Sequence, residues 1–299
     1  MSIVVVGSIG FDTIETPQGR AQDVLGGAAA YFAVAASYFA PVKLVAIVGE
    51  DFPDDERSFL AGRGIDLAGL EVRRGRTFRW AGRYHEDMNV RDTVELQLNV
   101  FGEFKPVLPV AYRDARYVFL ANIHPGLQGN VLDQLTEPRL IACDTMNHWI
   151  EGARSDLERL LGRVQLLVIN DEEARLLSRE RNIVRAARRI SEIGPGSVII
   201  KRGEYGAIYF GPDAIFAVPA YPLEVVFDPT GAGDTFAGGL MGYLAASGDL
   251  SSAGVRKGIV YGSVLASYTV EAYGLGRLRR LGRDEIEHRY RQFVSLTEF

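Results

Sequence analysis

Hydrophobic positions follow two grammars along this chain. Short unbroken apolar runs at Ile3–Val6, Lys43–Val48, Tyr117–Ala121, Arg139–Cys143, Val164–Ile169 and Ser197–Lys201 read as strands buried on both faces. Between them lie stretches with helical spacing: an alanine-rich one over Ala28–Ala40, one over Asp54–Ala61, and one running from Thr230 through Leu244 to a stop at Ser247-Gly248. Ser251–Glu271 carries Val255, Ile259, Val260, Val264 and Ala266, and a last helix capped by Asp284 bears Ile286, Tyr290, Phe293 and Val294 on one face. Strand alternating with helix predicts an α/β fold around a mostly parallel sheet. Polar residues follow the strands at Asn122-Ile123-His124, Asp144-Thr145-Met146-Asn147-His148, Asn170-Asp171-Glu172-Glu173 and Arg202-Gly203. They should therefore share one edge of that sheet, where open α/β sheets bind ligands.

From Thr77 to Phe101 the period changes to two. Phe78, Trp80 and Tyr84 alternate with Arg79, Ala81 and Arg83; after a polar stretch, Val94, Leu96, Leu98 and Val100 alternate with Glu95, Gln97 and Asn99. This predicts a β-hairpin with one apolar face, separate from the main sheet. A two-stranded ribbon is not stable alone in water. Its apolar row must cover a substrate site, meet a second copy of the chain, or do both. Arg83, His85 and Arg91 near the turn are placed either to reach an anionic substrate or, the favoured reading for hairpin charges, to be solvated.

Composition narrows the function. The 299 residues can form one large α/β domain or two ordinary ones, 47% are hydrophobic, and the net charge of −5 argues against nucleic acid as a partner. No run is long and apolar enough for a membrane span, and no leader peptide is visible at the strand-like N-terminus, so a cytoplasmic protein is expected. The single cysteine, Cys143, excludes an internal disulfide and reads as a core residue. None of the four histidines has metal-ligand spacing to another.

The stretch with most chemical content is Asp228-Pro229-Thr230-Gly231-Ala232-Gly233-Asp234-Thr235-Phe236-Ala237-Gly238-Gly239. Pro229 ends what precedes it and Thr230 is positioned to cap the next helix. The first turn would then hold Gly231, Ala232, Gly233 and Asp234. Free N–H groups at a helix start bind anions, and a carboxylate beside them suits proton removal from a hydroxyl that attacks phosphorus. The alternative is a glycine-rich helix start in which Asp234 merely favours the dipole. Near the N-terminus, Gly7-Ser8-Ile9-Gly10 lacks the Gly-x-Gly-x-x-Gly spacing of a dinucleotide fold, and no phosphate-binding P-loop motif occurs.

This stretch resembles the C-terminal signature of the ribokinase-like (PfkB) carbohydrate kinases, and the likeness extends along essentially the whole chain. Gly26-Gly27 before a helix is similar to the family's N-terminal signature. The family usually places asparagine four residues after the second glycine; here that residue is Tyr31. The resemblance implies a three-layer α/β/α sandwich, with residues 1–12, 26–70 and 106–299 forming the core and residues 13–25 and 71–105 a β lid. It implies an ATP- and Mg²⁺-dependent kinase that phosphorylates a hydroxymethyl group of a sugar or sugar-like acceptor, with a nucleoside as the alternative. Asp234 would be the base, with the Gly231, Ala232 and Gly233 backbone as anion hole. Asp12, Gly26, Gly27 and Tyr31 would bind the acceptor, the Tyr31 ring favouring one with a planar group. Asn170 and Glu173 match an Asn-x-x-Glu motif associated with magnesium and phosphate, although helix capping alone also explains Asn170. Lys201, Gly203, Gly206, Thr230 and Gly274 would lie by the nucleotide. A monovalent-cation requirement and a homodimer meeting through the lids stay open. So does a non-catalytic ligand-binding protein on the same scaffold.

Overall fold

The computed structural model describes residues 1–298, which form two sheets. The large one contains β1 (Ile3–Val6), β4 (Val42–Gly49), β5 (Ile65–Arg73), β8 (Tyr117–Leu120), β9 (Leu140–Cys143), β10 (Leu166–Asn170), β11 (Ser197–Lys201), β12 (Ala207–Phe210) and β13 (Ile215–Val218), in the order β13-β12-β11-β10-β9-β8-β1-β4-β5. All pairings from β5 to β11 are parallel, and only the β11-β12-β13 edge is antiparallel. The small sheet has β2 (Gly10–Thr16), β3 (Gly19–Gly26), β6 (Phe78–Tyr84) and β7 (Arg91–Gln97), ordered β3-β2-β6-β7.

Both faces of the large sheet are covered, which is why its central strands are continuously apolar. Ile3 and Val5 of β1, with Tyr117 and Phe119 of β8, face a core shared with α1 (Ala28–Ala36), α2 (Asp54–Gly62), α8 (Ala232–Ser247), α9 (Ser252–Thr269) and α10 (Arg283–Thr297). Val4, Val6, Val118 and Leu120 face the opposite core. That side is covered by α3 (Pro125–Leu132), α5 (Arg154–Leu161), α6 (Asp171–Ser178) and α7 (Ile183–Ile193), with the short α4 (Asn147–Gly152) beside them. Cys143 lies fully buried in this second core. The result is helix layer, sheet, helix layer.

Helices α1 and α8 pack unusually close. A Cβ at Gly238 would stand 2.4 Å from the Phe32 carbonyl oxygen, and one at Gly242 would be 3.0 Å from Ala36 Cα. The alanine run of α1 supplies the matching flat face, and Ala29 to Ala36 are all buried.

The hairpin is half of a four-stranded sheet, because β2, from the other lid segment, pairs in parallel with β6. Four details need correction. Asp12 belongs to β2, so a boundary drawn after residue 12 cuts through a strand. At the other boundary, β5 extends to Arg73 within the large sheet. The alternating row also breaks: β7 ends at Gln97, and a 3₁₀ turn over Asn99–Glu103 carries Val100 into the core while Leu98 stays exposed. Finally, Asp284 sits in the first turn of α10 and does not cap it; the Glu285 carboxylate accepts the Gly282 N–H at 2.9 Å.

Candidate active site

The C-terminal ends of β9, β10 and β11, the start of α8 and the inner side of the small sheet converge on one cleft. Asp144 follows β9, Asn170 ends β10, Lys201 ends β11, and Asp234 lies in the first turn of α8.

The start of α8 is built around Gly231, which adopts a left-handed backbone at φ 73° and is the cap residue. Thr230 therefore does not cap the helix. Its hydroxyl hydrogen-bonds Tyr84 Oη of β6 at 3.0 Å, tying the small sheet to the loop. Asp228, fully buried, holds that loop from below: its carboxylate accepts the Thr230 N–H at 2.8 Å and the Gly274 N–H at 2.9 Å. The Ala232 N–H donates to the Pro229 carbonyl at 3.2 Å, whereas those of Gly231 and Gly233 find no backbone partner among the described residues. Two donors and a helix start thus face the cleft. The Lys201 ammonium lies beside them, so close that a Cβ on Gly233 would be 2.5 Å from its Nζ.

Five carboxylates line the cleft. Burial pushes Asp234 above the ordinary carboxylate range, opposed by the Lys201 and Arg91 charges. Asp144 is driven well above its usual value, first by burial and then by the charge of Asp234 close by. Two close carboxyls cannot easily both ionise. Asp144 Oδ1 has no partner of its own. Glu173 is raised by burial and opposed by Lys201, and Asp228 is raised by burial against its own hydrogen bonds. On the small sheet Asp12 is pushed up to about 8 by burial and by the Asp228 and Asp234 charges.

Asn170 and Glu173 form a reciprocal capping box at α6, each side chain accepting the other's N–H at 2.8 Å. The capping reading is therefore visible, and one Glu173 oxygen remains outside the box. Gly26 and Gly27 open their backbone to the chain itself. A Cβ on Gly26 would strike the Asp12 carboxylate at 1.9 Å, and the Gly27 backbone opposes the upward shift of that carboxyl. The first N–H groups of α1 are taken by Ser8, at 3.0 Å each. Tyr31 has no ring face to offer a ligand. It is buried, and Gly231 lies flat on it, so that a Cβ there would be 2.4 Å from three ring carbons. Its hydroxyl is buried without a partner and lies within the field of Asp228 and Asp12. Gly203 and Gly206 shape the turn after β11, where Asn89 of the β6–β7 turn rests against Gly203. Gly274 is buried between Asp228 and Val24, its N–H used by the same carboxylate that holds Thr230.

Asp144, Asp228 and Tyr84 join this cleft without having been singled out from sequence. Asp144 and Asp228 carried a signal, one as the polar residue after a strand and the other inside the signature. Tyr84 carried none beyond its place on the hairpin. Arg91, one of three hairpin charges weighed from sequence, also bears on the carboxyls of the cleft. Among the described residues, no three histidine, cysteine, aspartate or glutamate side chains cluster closely enough to cage a metal, and no helix is long and apolar enough to cross a membrane.

Comparison with known proteins gives a consistent picture. A model described as pfkB family carbohydrate kinase matches residues 2–278. A cytidine kinase of Thermococcus kodakarensis is 34% identical over 250 residues, covering 81% of this chain and 88% of that protein. A nucleoside kinase of Methanothermobacter thermautotrophicus is 31% identical over 268 residues, covering 85% and 81%. Among solved structures, a protein assigned as a ribokinase II from E. coli, in complex with ATP and Mg²⁺, superposes with a TM-score of 0.80 over 99% of both chains at 20% identity.

Proposed function

The chain belongs to the pfkB family of carbohydrate kinases, phosphotransferases with an alcohol acceptor, and on that premise we propose that it moves the γ-phosphoryl group of ATP to a hydroxymethyl group of a nucleoside. The observation that carries the mechanism is the start of α8. The carboxyl group of Asp234 stands within one turn of two free N–H groups and an ammonium. Asp234 takes the proton of the attacking hydroxyl. The Gly231 and Gly233 N–H groups and Lys201 hold charge developing on the phosphoryl oxygens, with Ala232 shaping the turn. Asp12, beside Gly27, binds acceptor hydroxyls opposite.

The cytidine and nucleoside kinase relatives support a nucleoside over a free sugar. With the Tyr31 ring covered by Gly231, the base must be read by the small sheet, and Tyr31 acts from beneath. ATP and Mg²⁺ fit the residues present: buried carboxylates in excess and the unpartnered Asp144 Oδ1 call for a cation. Bound Mg²⁺ would neutralise phosphate charge, keeping its waters and using few protein ligands, for which the free Glu173 oxygen beside Asn170 is the candidate. The small sheet would close the site as a lid. Its outer row, Val94, Leu96 and Leu98, is 47–60% exposed and would join two copies of the chain.

An ADP-release screen over nucleosides and sugars tests the reading, with Asp234→Asn beside the wild type. The variant keeps the helix start and loses the proton acceptor, so turnover should fall by about 10²–10⁴-fold with ATP affinity little changed. Near-normal turnover in Asp234→Asn would remove its assignment as the base.

A further inference from the structure

Three basic side chains stand near the β6–β7 turn, and two have surface partners. Arg83 pairs with Glu15 at 3.1 Å and His85 with Asp92 at 2.9 Å. Arg91 makes no ion pair among the described residues, although it is exposed in a chain rich in carboxylates. Its position is fixed by its neighbours. It lies directly opposite Tyr84 in the antiparallel β6–β7 pair, and its guanidinium carbon is 5.8 Å from the Trp80 ring centroid. Tyr84 is buried and bound to Thr230 at 3.0 Å, and Asn89 of the same turn rests on Gly203. The turn is therefore pinned on both sides of the cleft mouth, with Arg91 beside the pin. Directly opposite residues share one face of the ribbon, so Arg91 lies on the face from which Tyr84 reaches Thr230 at the cleft. Its charge also opposes the upward shifts of Asp12, Asp234 and Glu173, which come from three separate elements.

The charge balance of the cleft gives this position a purpose. Asp12, Asp144, Glu173, Asp228 and Asp234 line it, and among the described residues Lys201 supplies the ammonium beside the start of α8. A triphosphate entering there finds carboxyl groups far outnumbering that one ammonium, and a planar guanidinium suits a phosphoryl group.

We propose that Arg91 reaches down from the lid to hold the phosphoryl group in transfer, so that the anion site is complete only while Tyr84 fastens the lid turn to Thr230. This rests on the kinase reading, and makes the lid part of the phosphoryl-transfer machinery as well as a cover. An acceptor that holds the lid down thereby brings Arg91 to the phosphate.

The test compares Arg91→Gln and Arg91→Ala with Arg83→Gln, an arginine on the same hairpin already paired at the surface. Arg91→Gln should lose about 10²–10³-fold in kcat, as removal of one transition-state donor does. The preference for ATP over ADP in equilibrium binding should shrink by roughly tenfold, the worth of one charge-assisted hydrogen bond. Added guanidinium should restore part of the turnover of Arg91→Ala, which a purely structural role would not allow. Arg83→Gln should behave as wild type. Arg91→Gln with wild-type kcat and an unchanged ATP-to-ADP affinity ratio would overturn the proposal. A wild-type protein that releases ADP with no acceptor tried would instead count against the kinase reading, and the affinity ratio would still decide the role of Arg91.

Discussion

Replacing Gly231 by alanine should damage stability and activity together, by an amount the geometry sets. Gly231 sits at φ 73°, a region that costs an L-residue roughly 1–2 kcal/mol. The new methyl would also begin 2.4 Å from three carbons of the Tyr31 ring. Carbon atoms rest at about 3.5–4.0 Å, so ring or loop must withdraw by more than about 1 Å. Tyr31 is 1% exposed and has no open side to move into, and forced overpacking of a core costs typically about 1–3 kcal/mol. The sum is about 2–5 kcal/mol, a large part of the roughly 5–15 kcal/mol that holds a domain together. Urea unfolding of Gly231→Ala, Tyr31→Ala and the double variant measures it. Removing the ring relieves the clash, so the double variant should be less destabilised than the sum of the singles by about 1–3 kcal/mol. Additive losses would refute the claim that the ring confines the loop. Kinetics on Gly231→Ala should show kcat falling even at temperatures where the protein stays folded.

Two other outcomes follow from the same structure. Asp12 holds its proton to about pH 8 in the folded protein but only to about 3.8 when unfolded, so unfolding releases a proton between these values. Stability of the ligand-free protein should therefore fall as pH rises from about 4 to 8, and Asp12→Asn should flatten that slope in urea midpoints measured across the range. The exposed row of Val94, Leu96 and Leu98 predicts a dimer in sedimentation at micromolar concentration and a monomer for Leu96→Glu. A monomeric wild type would remove the interface but leave the lid.

The sequence was most readable where burial is two-sided. Val4 and Val6 serve one core while Ile3 and Val5 serve the other, so β1 has no polar position to confuse it. The edge strand β5 went unseen because its residues mix buried, half-buried and exposed positions without a clean period, and a bulge interrupts its pairing with β4. The start of α8 was legible as chemistry because its donors, glycines and carboxylate are local. What surrounds it was not, since Tyr31 lies 200 residues from the glycine that covers it, and Tyr84 lies 146 residues from the threonine it holds. Asn170 and Glu173 show a further limit: a capping box and a ligand pair place the same residue types at the same spacing. Sequence alone cannot divide them.

The tight seam between α1 and α8 bears on how such an enzyme can change its substrate over time. One helix begins at the glycines beside Asp12 and the other at Gly231, and Gly238 and Gly242 lock the two together with no room for a methyl group at the contact. Under the proposed function the seam would work as a ruler, fixing how far the acceptor's anchor stands from the donor's cradle. A descendant that lengthened or shortened it would lose in-line reach before gaining a new acceptor. On that reading, novelty must enter through the β6–β7 half of the small sheet, which does not carry the braced Asp12. Lineages that share this seam are free to diverge in what they phosphorylate while remaining uniform in how they do it.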